Sequence, residues 1–254
     1  MSTLSAEWTK LRTAPGTIWL LLAVIGSTVA VSALTIAAAT CHAAGCGPDP
    51  GRVSLTGVDI GQAVVAVLAV LAIGDEYSTG MIRVSLTATP RRLSLLAAKL
   101  ATLAGPVLVV SAVAVAASLL AGRLVLPGHG FTPAHGFDLV GSAEVSAAFR
   151  MVLYLTLVAA LSLGVATAVR DSAAAIGVVL GLLYLFPVAA SMVGDRAVQR
   201  LLEQIGPMSA GLNAEATVGL RSLPLTPWQG LGVVALWAAG ALLLGGVALR
   251  VRDA

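Results

Sequence analysis

The side chains of this chain that could do chemistry are few and far apart. Cys41, His42 and Cys46 share one short stretch, where thiols can bridge in an oxidising compartment and thiolates with an imidazole could hold zinc. The spacing leaves open a Cys41–Cys46 disulfide or two free thiols. It fits no zinc pattern and lacks a fourth ligand, so no metal site is expected. His129 and His135 lie among Pro127, Gly128, Gly130, Pro133 and Gly136, a turn-rich connector in which imidazoles are solvated. Ser209, near Gly211, has no base beside it. The two lysines, Lys10 and Lys99, both lie outside any glycine-rich G-x-x-x-x-G-K-[ST] phosphate loop. This chain therefore needs no cofactor of its own, and ATP and Mg would have to be held by a partner subunit. Asp59 and Gln62 are the one polar pair within apolar sequence, either at an interface or beside a pathway.

The elements that position these residues must live in lipid. Of 254 residues, 58% are hydrophobic and 11% charged, with a mean hydropathy of +0.96, whereas a soluble domain carries roughly a quarter of its residues as charges. Charge-free runs cover 13–48, 100–122, 151–169, 172–194 and 222–249, each able to cross a ~30 Å hydrocarbon core as a helix of ~20 residues. A shorter run at 60–74 makes a sixth span once Asp59 is admitted. Spans are expected near 18–39, 57–74, 100–121, 147–169, 173–193 and 228–249. Continuous apolar runs, rather than ten-residue alternating strands, exclude a barrel. The expected fold is all-α, one polytopic membrane domain over 1–254. Aromatics are only 4%, and Ala, Val, Leu and Gly dominate, which suits close helix contacts.

Lys and Arg set the orientation. With a cytoplasmic N-terminus that side holds Lys10, Arg12, Arg83, Arg91, Arg92, Lys99, Arg170, Arg250 and Arg252, nine against six outside. Both termini are thus expected in the cytoplasm. The net charge of +3 is too small and too spread to indicate nucleic acid. The first apolar stretch, 22 residues, exceeds the ~7–15 of a signal h-region and reads as a retained span. Before it, in 1–15, Leu4, Trp8 and Leu11 recur at helical spacing with Lys10 and Arg12 beside them. The reading is an interfacial helix anchored by Trp8, Lys10, Leu11 and Arg12, or else a frayed terminus. In the outer loop, 195–227, Val198, Leu201, Leu202 and Ile205 predict a short amphipathic helix ended by Gly206-Pro207.

Between the second and third spans the chain reads Asp75-Glu76-Tyr77-Ser78-Thr79-Gly80-Met81-Ile82-Arg83, then Leu86, Pro90-Arg91-Arg92 and Ala98-Lys99. Tyr77, Met81 and Val84 would share one face of a short helix, with Glu76 and Arg83 facing the cytoplasm or a partner. This segment resembles the E-Y-x-x-G-T-x-R…L…P-x-R…A-K signature of permease subunits in the second export-type ABC transporter superfamily, especially its actinobacterial members, with Met81 in place of the common Thr. Glu7-Trp8-Thr9-Lys10-Leu11-Arg12 and the closing Leu249-Arg250-Val251-Arg252-Asp253-Ala254 resemble that family's two ends.

The resemblance implies a six-helix permease with a coupling helix within 76–92 and a partly re-entrant outer segment between spans five and six. It implies two such membrane domains, copies or homologues, docked on two ATP-binding subunits in a bacterial plasma membrane. Exported cargo in the family includes drugs, antibiotics, lipids and polysaccharide precursors. The ATPase-coupling residues would be Glu76, Tyr77, Gly80, Arg83, Pro90, Arg91 and Arg92, with Arg170 and Asp171 in the next short turn. Glu76 and Arg83 would supply docking charges, Tyr77 a broad contact and Gly80 close backbone approach. The competing reading is a scaffold or regulatory subunit that docks an ATPase without transporting. An intramembrane enzyme is disfavoured because no expected span contains His. Topology mapping with loop reporters should place residue 85 and both termini in the cytoplasm and residues 45, 130 and 210 outside; a cytoplasmic residue 130 would refute the span count.

Overall fold

The computed structural model describes residues 15–39, 49–81, 92–131, 142–220 and 223–251. The N-terminal residues Trp8, Lys10, Leu11 and Arg12, the cysteines Cys41 and Cys46, and Arg83, Pro90 and Arg91 lie outside that set. The fold is all-helical, as expected from composition, and among the described residues six helices are long and apolar enough to cross a membrane.

In chain order the helices are α1 (Pro15–Ala38), α2 (Pro50–Leu55), α3 (Val58–Ser78), α4 (Arg92–Val125), α5 (Ser142–Val169), α6 (Ser172–Met192), α7 (Arg196–Ile205), α8 (Pro207–Leu212) and α9 (Pro227–Val251). Short 3-10 turns cover Leu126–His129 and Asn213–Glu215. The six long helices alternate in direction. One end of the bundle, the loop end, carries the junctions between α3 and α4 and between α5 and α6. The other, the cap end, carries α2, α7, α8 and the 213–226 stretch.

Helices α3 and α5 are the centre. In each, 61% of the most apolar window is buried, against 22% for α1 and α6 and 33% for α4 and α9, whose outer faces remain for lipid. α5 packs on α9, α3, α4 and α6, so it touches four of the other five spans. Tyr154, Leu155, Val158 and Leu161 of α5 meet Val65, Leu68, Ala69 and Ile73 of α3 in the main core. A smaller cluster of Ile36, Val53, Leu126 and Phe131 closes the cap end.

Small residues set the closest contacts. A Cβ on Gly164 of α5 would lie 2.5 Å from the Ala241 carbonyl carbon and 2.6 Å from the Leu242 nitrogen of α9, so those two backbones touch directly. Hydrocarbon gives helices no hydrophobic reason to associate, so such van der Waals contact must supply it. Hydroxyls inside the spans return to their own helix: Ser162 donates to the Val158 carbonyl and Thr167 to the Leu163 carbonyl, both at 2.7 Å.

Three boundaries differ from the sequence expectation. α4 begins at Arg92, well before residue 100, and its 34 residues make a helix about 51 Å long, more than the ~30 Å core requires. Lys99, which the charge count treats as a loop residue, is 5% exposed in its second turn, because a carboxylate neutralises it there. α3 runs through Glu76 and Tyr77 to Ser78, and Gly80 follows at φ 72°. The helix expected to carry Tyr77 and Met81 on one face is therefore split at Gly80. The third difference is α2, whose start is set by Asp49 as N-cap, accepting from the Gly51 N–H at 2.9 Å, with Pro50 in the first turn.

Candidate functional site

The loop end holds a compact polar interlock. Lys99 Nζ of α4 lies 2.7 Å from Glu76 Oε1 of α3, and both side chains are 5% exposed. The two residues flank the 79–91 segment, so the pair joins the two helices from which that segment departs. Glu76 is thus turned into the bundle and is not offered to a partner, contrary to its sequence reading. Its burial is tolerable only because the opposite charge is in contact; removing one member of such a pair strands the other away from water.

Tyr77, the next residue, faces a second tie. Its hydroxyl donates to the Thr167 carbonyl of α5 at 3.4 Å, and the Arg170 guanidinium lies 5.8 Å over its ring. Arg170 Nη2 also donates to the Ala248 carbonyl of α9 at 3.0 Å, one of the last carbonyls left without an intrahelical partner. Arg170 sits at φ 65°, a left-handed conformation that a side chain adopts at a cost of order 1 kcal/mol. That kink ends α5 and, with Asp171, forms the whole connection to α6. Asp171 caps α6 by accepting from the Ala174 N–H at 2.7 Å and is itself exposed. Arg170 is therefore half-buried and engaged within the bundle, while Asp171 is exposed.

Gly80 ends the α3 turn at a positive φ that favours glycine, and within this chain a Cβ there would meet nothing within 4 Å. Arg92 begins α4, and Arg83, Pro90 and Arg91 belong to the stretch outside the described residues.

The cap end holds the second cluster. Asp49 accepts from the Thr217 N–H at 2.7 Å, the Val218 N–H at 2.9 Å and the Thr217 hydroxyl at 2.5 Å, fastening the 217–218 backbone to the start of α2. Arg52 Nε lies 3.1 Å from Glu215 Oε1. Arg150, buried in α5, donates from Nε to the Ala214 carbonyl at 2.9 Å and from Nη2 to the Ala216 carbonyl at 3.1 Å. Its residue type alone marks it only as an outer charge. The signal that would have found it is an arginine inside the span expected at 147–169.

Gln62 is fully buried and accepts a short hydrogen bond from the Tyr154 hydroxyl, while the Tyr184 hydroxyl donates to the Asp59 carbonyl. Both contacts tie α3 to its neighbours. Asp59 Oδ1 and Glu215 Oε2 are buried without a hydrogen-bond partner among the described residues. Burial, together with the Asp59 charge, pushes the Glu215 carboxyl up to about 8 even though Arg52 draws it down.

Among the described residues no three His, Cys, Asp or Glu are grouped to hold a metal. What the geometry offers is mechanical: six spans, one end interlocked around a departing loop, the other closed by a fastened cap. Such a domain belongs to the membrane part of a transport machine. A family model for ABC-2 family transporter proteins matches residues 3–188, more than two thirds of the chain, and the protein belongs to that family. It is a permease-type membrane subunit of the ABC exporter class. No curated protein matches it significantly.

Two outcomes follow from these clusters. Glu76→Leu and Lys99→Met should each lower stability by about 3–5 kcal/mol, while the double variant Glu76→Leu/Lys99→Met should recover most of that loss, read as thermal midpoints in detergent. Additive losses would mean that the two charges do not pair. For Glu215, the folded carboxyl holds its proton up to about 8 and the unfolded one only to 4.5. As pH rises through that window the unfolded state loses its proton first, so stability should fall between about pH 5 and pH 8 and then level off. Glu215→Gln should flatten this slope; an unchanged slope would remove Glu215 as its cause.

Proposed function

We propose that this chain forms the substrate pathway of an ATP-driven exporter in a bacterial plasma membrane. It would act as one of two permease copies or homologues on two separate ATP-binding subunits, and its cargo is a hydrophobic or amphipathic compound such as a drug, an antibiotic or a lipid. Family membership gives the class, and the loop-end interlock is the observation that carries the mechanism. In this reading the loop end is cytoplasmic, in keeping with its excess of Lys and Arg, and both termini lie there too.

The motor of such a machine works outside the bilayer, so its closure must enter the spans through a cytoplasmic element. The segment 79–92 is that element, with Arg83, Pro90, Arg91 and Arg92 as its docking charges and turn. A loop attached through flexible stems would absorb the push. Here Glu76 and Lys99 lock its two stems together, so displacement of the loop moves α3 and α4 as one body. Arg170 passes the movement on, since its guanidinium joins Tyr77 at the end of α3 to the Ala248 carbonyl at the end of α9. Asp171, exposed in the neighbouring turn, is a secondary contact.

At the outer side the 193–226 stretch is read as partly re-entrant. The Ile205 carbonyl accepts from Trp237 Nε1 at 2.8 Å, ten residues into α9 and so about 15 Å along its axis. That depth supports a segment dipping between the spans, and the Asp49, Arg52 and Arg150 contacts would hold its return limb against the bundle.

With a reconstituted ATPase partner, Arg83→Ala should weaken association, since removing one member of a desolvated interface charge pair costs about 2–5 kcal/mol. Arg170→Gln should leave association intact and lower ATP-dependent transport into liposomes. If both variants assemble and transport like wild type, the coupling assignment fails. If the wild-type complex hydrolyses ATP and moves no compound, the chain is a docking scaffold.

A further inference from the structure

A pocket of about 360 Å3 lies at the cap end, where α2, α6, α7 and α8 meet the 223–224 stretch. Ala190 of α6, Leu212 of α8 and Leu223 give it apolar walls, while Arg52 of α2, Glu203 of α7 and Asn213 bring charge and an amide. That volume is near the small end of ligand sites, about 300–1,000 Å3, so a compact molecule fills it.

The two charges of the pocket face one space without meeting. Arg52 engages only its Nε, at 3.1 Å from Glu215 Oε1, and its terminal nitrogens have no partner among the described residues. Burial keeps the Glu215 carboxyl protonated up to about 8, so at neutral pH it does not cancel the guanidinium charge. Glu203 accepts from Gln199 Nε2, a neutral amide one turn back, at 3.2 Å. No ion pair joins Glu203 to Arg52 among the described residues. Asn213 is 5% exposed, and its Nδ2 is buried without a hydrogen-bond partner among the described residues. A buried donor left unpaired is costly, and an acceptor placed against it removes that cost.

These groups select a ligand that carries both signs. A simple anion would suit Arg52 and Asn213 and leave Glu203 unmet, and a simple cation would do the reverse. The cationic end is a primary ammonium, which has three N–H donors for a carboxylate. A quaternary ammonium has none, and it is held by aromatic faces, which the lining lacks. The surroundings decide the anionic end. Ala190 lies two residues before the end of α6, and the neighbouring Met192, Val198 and Leu201 are exposed and apolar, so the pocket sits beside lipid near the end of a span, at the level of headgroup phosphates.

We propose that this pocket binds a phosphoethanolamine group, its phosphate on Arg52 and Asn213 and its primary ammonium on Glu203. Free glycerophosphoethanolamine and the headgroup of phosphatidylethanolamine carry the same group. Neither has to be cargo, and the site stands whether or not the chain transports.

In one arm of the test the full chain, in phosphatidylcholine nanodiscs, is titrated calorimetrically with glycerophosphoethanolamine and with glycerophosphocholine. In the other it is extracted from bilayers of equal phosphatidylethanolamine and phosphatidylcholine, and retained lipid is counted by native mass spectrometry. Wild type should prefer the ethanolamine form by about tenfold or more in at least one arm. Preference in the first arm alone identifies the free compound as the ligand, and preference in the second identifies the lipid headgroup. Glu203→Gln, which keeps the shape of the side chain, should abolish the preference for ethanolamine over choline. Arg52→Gln should weaken binding of the ethanolamine form about tenfold or more, with helix content and thermal midpoint as folding controls for both variants. Equal binding of ethanolamine and choline forms by wild type overturns the proposal without recourse to any variant. So does the absence of binding in both arms, or an unchanged preference in folded Glu203→Gln.

Discussion

Hydrocarbon offers no hydrogen bond, so a polar group carried into the spans is costly unless it finds a partner within the bundle. That constraint organises this protein more than any single apolar contact. It sends Ser162 and Thr167 back to carbonyls one turn away, and it binds Gln62 to Tyr154. It also makes the charged residues architectural. Lys99 can begin a spanning helix only because Glu76 meets it, and Arg150 can lie inside α5 only because two carbonyls of the cap come to it. Each satisfied group fixes the position of one element against another, so satisfying the polar inventory and assembling the bundle are one process.

The two ends of the bundle use this constraint differently. At the loop end the partners lie on different spans, α3 with α4 and α3 with α5 and α9, so the ends of four helices are held in fixed relation around the departing segment. At the cap end the partners join spans to short, irregular stretches, with Asp49 collecting the 217–218 backbone and Arg150 the 214 and 216 carbonyls. The first arrangement ties spans to one another, and the second holds a covering segment in place. Between them, α5 and α9 are drawn together at Gly164 closely enough that no side chain fits, which gives the two ends a common stiff axis.

Arg170 holds a left-handed backbone conformation at the loop end, and Asp59 and Glu215 keep buried carboxyl oxygens without a hydrogen-bond partner among the described residues near the cap. Each is a local cost that the surrounding packing must over-determine.

The sequence by itself determined the class of solvent, the helical fold and the number of spans, because each of those depends on composition and on the lengths of charge-free runs. The motif around Glu76 and Tyr77 pointed to the family, and a family match over most of the chain agrees with it. Which way those residues face was a tertiary matter. Glu76 reads as a surface charge until Lys99, twenty-three positions later, is brought against it, and the turn at Gly80 shows only in its positive φ. Arg170, Arg150 and Gln62 likewise have partners on other segments, far away in sequence. Burial and pairing are properties of two segments together, and periodicity along one segment carries no record of the other. Hydropathy is local and additive, so it was legible in the chain; the pairing of polar groups is neither, and only the packed bundle decided it.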